Sequence, residues 1–167
     1  MKPILYLVAC LMLLSACKKT QIDSEYDTSL RVWQEFKASV NNSYVYTVTA
    51  SSDVGIFTET KITVSNGVVT ARDYTETSGN PAINNLKRWR ENGVTLNTHT
   101  EGALLITMDE VYVKAKNEWL TADRDKNNAY FETKNNGMIS TCSYVPKNVA
   151  DHPGFGIHIS SIAAFIK

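Results

Sequence analysis

The sequence predicts an α+β domain: an antiparallel sheet of about six strands with two amphipathic helices packed on one face. Three observations carry this. Residues 26–40 and 108–119 repeat apolar side chains at the helical period. Several other segments alternate apolar and polar residues with a period of two. Asn-Gly occurs twice between such segments, at Asn66-Gly67 and Asn136-Gly137. Both residues accept the positive φ of a type I′ turn, so each pair marks a hairpin.

The first helix is expected to begin near Ser24 or Asp27 and to end at Asn41-Asn42. Tyr26, Leu30, Trp33, Phe36 and Val40 share one face, with Glu35 and Lys37 off it. Trp33 and Phe36 lie among aliphatic neighbours, which reads as core packing rather than a ligand stripe. Tyr44, Tyr46, Val48 and Ala50 then alternate with Val45, Thr47 and Thr49 as a first strand. Ser52-Asp53-Val54-Gly55 turns the chain, and residues 56–64 and 68–74 form the next two strands. A two-residue turn places Val64 opposite Val69 and Ile62 opposite Ala71 on an apolar face. The same register places Lys61 opposite Arg72 outside, with Glu59 diagonal to offset the repulsion.

Residues 76–106 carry the least pattern. Ser78-Gly79-Asn80-Pro81 reads as a loop, 86–90 as a short helix or an edge strand, and Val94 with Leu96 as a further strand. Thr107 and Glu110 then form a capping box, with Ile106 and Val111 spaced for a hydrophobic staple. Met108, Val111, Tyr112, Ala115 and Trp119 line one face of the second helix, which runs to about residue 120. Glu110 and Lys114 are spaced for an i,i+4 ion pair. Residues 129–134 and 138–145 form a hairpin that pairs Phe131 with Cys142 and Ala129 with Tyr144. Residues 156–162 are the last strand. Helices segregated to one face of an antiparallel sheet give the α+β class.

The chain has 167 residues, with 17 basic and 17 acidic side chains and a formal net charge of zero. This balance gives no electrostatic footprint for nucleic acid. A hydrophobic share of 43% excludes a disordered chain, and the length fits one domain. The N-terminus reads as an address. Lys2 precedes an apolar run, residues 4–14, of about eleven residues. A membrane-crossing helix needs about twenty, so the run matches the apolar region of an export signal. Leu14-Ser15-Ala16-Cys17 follows.

These residues resemble the lipobox of bacterial lipoproteins, and the resemblance covers residues 1 to about 19. It implies a diacylglycerol on the Cys17 thiol, cleavage before Cys17 and acylation of the new amine. More than one acyl chain is what stable anchoring requires. The expected organisation is a signal peptide over 1–16, a lipid-anchored tether over 17–23 and a single α+β domain over 24–167. The tether, with Lys18 and Lys19 beside anionic headgroups, reaches about 20 Å. Residues 1–16 hold one basic residue and no acidic one, so the processed chain would have 16 basic and 17 acidic side chains. Cys10 would be discarded and Cys17 acylated, leaving Cys142 as the one thiol. Over 25–165 the element order resembles small bacterial lipoprotein domains and the beta-lactamase-inhibitor-like lipoproteins, which implies protein binding and brings no catalytic residues.

Candidate chemistry is sparse. Asp123, Asp125 and Asn127 match the first half of an EF-hand loop, where alternate oxygens converge on calcium. Asn128 replaces the turn glycine, Lys134 replaces the closing glutamate and Glu132 comes two residues early; a solvated helix-to-strand turn is the other reading. His152 and His158, with Asp151, and the separate His99 supply no compact zinc motif. Cys142 could act as a nucleophile with His158 and Asp151 if its thiolate were exposed. Opposite Phe131, it reads instead as a small buried hydrophobe. Lys87, Arg88, Trp89 and Arg90 form a basic cluster that could meet anionic headgroups, acidic glycans or an acidic protein; an ordinary solvated face with Trp89 packed under it is the other reading. No phosphate-binding, dinucleotide or hydrolase motif occurs. The sequence therefore leads one to expect a non-catalytic binding or structural module of the cell envelope. Its covalent lipid would place it at the outer membrane, on the periplasmic or the surface face. Its partners would be the membrane and an envelope protein or glycan, with no nucleic acid and no cofactor beyond the lipid. The alternatives are an envelope enzyme using Cys142 and a calcium-dependent binder using 123–127.

Overall fold

The computed structural model describes residues 21–149 and 154–166. The signal segment, Cys17, Asp151 and His152 lie outside them. Helix α1 spans Gln21–Ser39. It already includes Gln21, Ile22 and Asp23, which the sequence reading gave to the tether, and Gln21 Nε2 donates to Glu25 Oε1 one turn on at 2.8 Å. The helix ends where expected, with Asn41 and Asn42 at φ of 48° and 52°, the left-handed conformation that asparagine tolerates at a helix C-terminus.

Seven strands follow: β1 (Tyr44–Ser51), β2 (Ile56–Ser65), β3 (Val68–Ser78), β4 (Arg88–Asn92), β5 (Asn127–Glu132), β6 (Thr141–Pro146) and β7 (Phe155–Ala164). Their pairings are all antiparallel, in the order β4-β3-β2-β1-β7-β6-β5. The fold class is as the sequence predicts. The extra strand is β4, and the stretch around Val94 and Leu96 is a 3₁₀ turn, Gly93–Thr95, rather than a strand.

Helix α2 (Met108–Lys114) carries the capping box on Thr107 and Glu110. It then opens into a π-helical turn over Ala115–Trp119. Met108, Val111, Tyr112, Ala115 and Trp119 are all buried. Glu110 is occupied by the cap, so Lys114 pairs with Glu118 at 2.7 Å instead. Both helices face the same side of the sheet. Trp33 stands edge-on to Tyr44, ring centroids 4.8 Å apart, and stacks on Tyr112. The Tyr44 hydroxyl accepts from the Met108 N–H at 2.9 Å, so a strand side chain caps α2. The Tyr112 hydroxyl joins Ser29 of α1 to Ile139 of the β5–β6 connection.

Two β-bulges set which side chains reach this core. In β3, Val64 pairs with Val69 but Thr63 with Ala71, leaving Thr70 extra. In β7, Thr47 pairs with Ser161 but Val48 with Ile159, leaving Ser160 extra. A one-residue slip exchanges the faces of everything beyond it. Ile62 therefore opposes Arg72, not Ala71, and Lys61 opposes Asp73, not Arg72. The expected Lys61–Arg72 repulsion is replaced by an attractive cross-strand pair. In β7 both Ile159 and Ile162 face the helices. The extra residues are alike: the Thr70 and Ser160 hydroxyls reach the carbonyls of Thr63 and Thr47, each at 3.4 Å.

The two Asn-Gly turns adopt the expected positive φ at both residues. The second hairpin keeps its register, Phe131 to Cys142 and Ala129 to Tyr144. Its strand β6 begins later than expected, at Thr141, because Met138 and Ile139 turn inward and are buried. The Asn135 amide holds them by donating to Ile139 O and Ile159 O at 2.8 and 3.0 Å.

Gly156 lets β7 lie against β6. A Cβ there would stand 2.2 Å from Cys142 O and 2.5 Å from Ser143 Cα, so backbone would have to move. Gly156→Ala is expected to cost at least about 2 kcal/mol through overpacking, lowering Tm by roughly 5 °C or more. A thermal melt followed by circular dichroism checks this.

Candidate functional site

The segment with the least sequence pattern contains the densest polar cluster. The bulge at Thr70 turns Arg72 inward, where it is 3% exposed. A buried guanidinium needs a counter-charge and filled hydrogen bonds. Glu91 of β4, directly opposite and fully buried, supplies the charge at 2.9 Å. Arg72 also donates to Ala103 O and His99 O at 2.9 and 2.8 Å. The Glu91 carboxylate accepts from Asn97 N–H, Thr98 Oγ1, His99 N–H and His99 Nδ1. One ion pair thus ties residues 93–103 onto the sheet. Trp89 closes it from the side, stacked on His99 with centroids 4.2 Å apart and on Tyr74 at 5.0 Å, with the Arg72 guanidinium 4.9 Å from its ring.

The basic cluster read from the sequence is divided by strand alternation. Trp89 points inward with Glu91, while Arg88 and Arg90 take the outer face. Arg90 pairs with Asp73 at 3.2 Å and Lys87 with Glu101, so two of the three cations are already neutralised locally. The calcium candidate is likewise committed. Asp123 Oδ1 accepts from Asp125 N–H at 3.0 Å, its other oxygen faces Lys126 at 3.4 Å, and the Asn127 amide bonds Asp123 O. Among the described residues no three His, Cys, Asp or Glu side chains are grouped to hold a metal ion.

Cys142 is fully buried, and burial pushes its thiol up to about 12. It opposes Phe131 and Ile157, whereas His158 lies across from Thr141 and bonds its hydroxyl at 2.9 Å on the other sheet face. Strand alternation therefore separates the thiol from its proposed base.

The outer sheet face offers the open space. A depression of about 710 Å³ lies over the central strands, lined by residues including Thr47, Lys61, Asp73 and Ala163. A larger one, about 1000 Å³, lies where β1 and β7 part. Thr49, Ser51, Phe57, Thr141, Ser143 and His158 line its walls, with Asp53 at the β1–β2 turn. Its size is at the upper end for small-ligand pockets, and its walls mix hydroxyls with the half-exposed Phe57 ring. No motif marked this place, because it is made by strands distant along the chain. The phase change in β7, from Ile157 and Ile159 to Ile162, was the available signal.

Comparison with protein-family models, curated proteins and solved structures finds no match.

Two outcomes are expected. Burial pushes the Glu91 carboxyl up, but the His99 and Asn97 hydrogen bonds and the Arg72 charge outweigh it and hold it down at about 2. Its folded value lies below its unfolded value, so the stability it contributes is full above about pH 4.5. That contribution is lost as pH falls from there toward 2. Glu91→Gln should flatten this acid limb of a Tm-against-pH curve. It should also lower Tm at pH 7, because removing one member of a buried pair costs about 3–5 kcal/mol. Separately, native protein should leave the Cys142 thiol unreactive toward a chromogenic disulfide reagent until denaturant is added; prompt reaction would restore the thiol-enzyme alternative.

Proposed function

We propose that this chain is a lipid-anchored, non-catalytic binding module of the bacterial cell envelope, presenting to a partner the sheet face that its described helices leave open. The anchor reading rests on Leu14-Ser15-Ala16-Cys17 after the short apolar run. The binding reading rests on one observation: the described helices cover one sheet face, while the other carries two depressions walled by Thr and Ser hydroxyls and a few charged side chains. Several convergent polar groups around a partly apolar hollow are the usual make-up of a binding site.

A catalytic role finds less support. Strongly perturbed groups mark active sites when they face a cleft. Here Cys142, Tyr44 and Tyr46 are perturbed by burial in the core, and Glu91 is saturated by its own loop. Their roles are structural.

The anchor is tested by fractionation. Wild-type protein expressed in a Gram-negative host should sediment with membranes and label with radioactive palmitate. Cys17→Ala should abolish the label and release the protein or block its processing. A mutant processed and retained like the wild type would overturn the assignment.

A further inference from the structure

The sheet opens on both sides of β7, and among the described residues only one opening is filled. β7 pairs with β1 through Ile159–Ala164 and with β6 through Phe155–His158, so it leaves one neighbour where it joins the other. On the β6 side the gap beyond Thr141 is packed by residues 133–140: Met138 and Ile139 are buried in it and Asn135 bonds Ile159 O. On the β1 side the strands diverge past Val48. Thr49, Ala50 and Ser51 have ladder partners on β2 alone. Gly156, Ile157 and His158 have theirs on β6 alone. The 1000 Å³ depression occupies this fork, and no described residue fills it as 133–140 fills its twin.

We propose that the fork receives an extended peptide segment as an added strand. This rests on the binding-module reading and names its partner class. Both walls are strand edges, and half the backbone groups of a strand with one neighbour point away from that neighbour. Such edges template another strand, and main-chain bonds then give affinity while side-chain pockets give specificity. Three residues on one wall and three on the other offer about 10 Å of ladder. Small side chains at Ala50, Ser51 and Gly156 leave the space between them open. Phe57, 55% exposed at the rim, offers an apolar contact for one side chain of the guest. Asp53 is the one formally charged side chain among the described lining residues, so a guest with lysine or arginine near that end is preferred over an acidic one.

Random heptapeptides displayed on phage are selected on the full-length chain in detergent micelles and counter-selected on Thr49→Trp, which fills the fork from its outer side. Enriched peptides, made synthetically, are titrated into ¹⁵N-labelled protein. Amide shifts are expected at Thr49, Ala50, Ser51, Gly156, Ile157 and His158. Affinity should fall at least about tenfold for Thr49→Trp, and likewise for the same peptide N-methylated at alternate amides. If Thr49→Trp does not fold, Ser143→Trp replaces it. Failure to enrich any peptide that distinguishes the two proteins overturns the proposal, as do equal binding of the N-methylated peptide and shifts at other residues. Binding of chitohexaose at these amides, with no peptide bound, would make the fork a glycan site. Membrane attachment through Cys17 is read independently, so loss of peptide binding leaves the anchor standing.

Discussion

The Arg72–Glu91 pair decides how one end of the sheet is built. One extra residue in β3 sends a guanidinium into the interior, where an unpaired charge would be prohibitive. The answer is a carboxylate on a neighbouring strand, and that strand must be held at the edge of the sheet to present it. β4 is only five residues long, too short to persist on ladder bonds alone. It is kept in place by what Glu91 and Arg72 bind on the far side: the backbone of Asn97 and His99 and the carbonyl of Ala103. Residues 93–103 carry no helix or strand of their own beyond a 3₁₀ turn, yet the N–H groups of Asn97 and His99 and the carbonyls of His99 and Ala103 are satisfied through these two side chains. Trp89 and His99 then shield the pair from water, which strengthens it.

The other half is held by apolar and aromatic packing instead. Trp33, Tyr44 and Tyr112 bring α1, β1 and α2 to one point, and the hydroxyls of Tyr44 and Tyr112 serve backbone groups that would otherwise be orphaned at the helix start and at Ile139. Buried tyrosines of this kind supply packing area and a polar tip together. The domain thus uses an ion pair where the chain is irregular and aromatic hydroxyls where regular elements meet.

What could be read from the sequence follows from this division. α1, α2 and both Asn-Gly turns were legible because their signals are local: a 3.6-residue stripe, a Thr107–Glu110 cap, two residues able to take positive φ. The register of the second hairpin was legible for the same reason. The bulges were not, since one added hydroxyl residue looks like ordinary alternation. Yet each leaves a trace, in the apolar phase that changes between Val69 and Tyr74 and between Ile159 and Ile162. β4 was obscured because its specification is electrostatic and non-local: nothing in 88–92 announces that Glu91 will be buried. Of the candidate residues, Cys142 was read correctly as core, and Lys87 to Arg90 form the solvated face with Trp89 packed beneath it that was one of their two readings. Beyond that phase change the fork at β1 and β7 had no local signature, because it depends on where β7 inserts.

The two bulges are the same chemical device with opposite consequences. Each places a hydroxyl over the carbonyl that the slipped ladder leaves behind. In β3 the slip keeps the strands together and changes which side chains are buried, so its effect is on the core. In β7 the slip at Ser160 lies beside the last pair with β1, Val48–Ile159; beyond it the strand pairs with β6 alone, and an opening results. The core elements attach on the filled side of β7, through Asn135, Met138, Ile139 and Tyr112. Loosening of β1 residues 49–51 or β7 residues 156–158 toward the outer face would therefore disturb few buried contacts. Segments with such low local cost are the ones that proteins use for binding. The bulge at Ser160 and the loop over 133–140 therefore leave the fork, among the described residues, open beside a packed core.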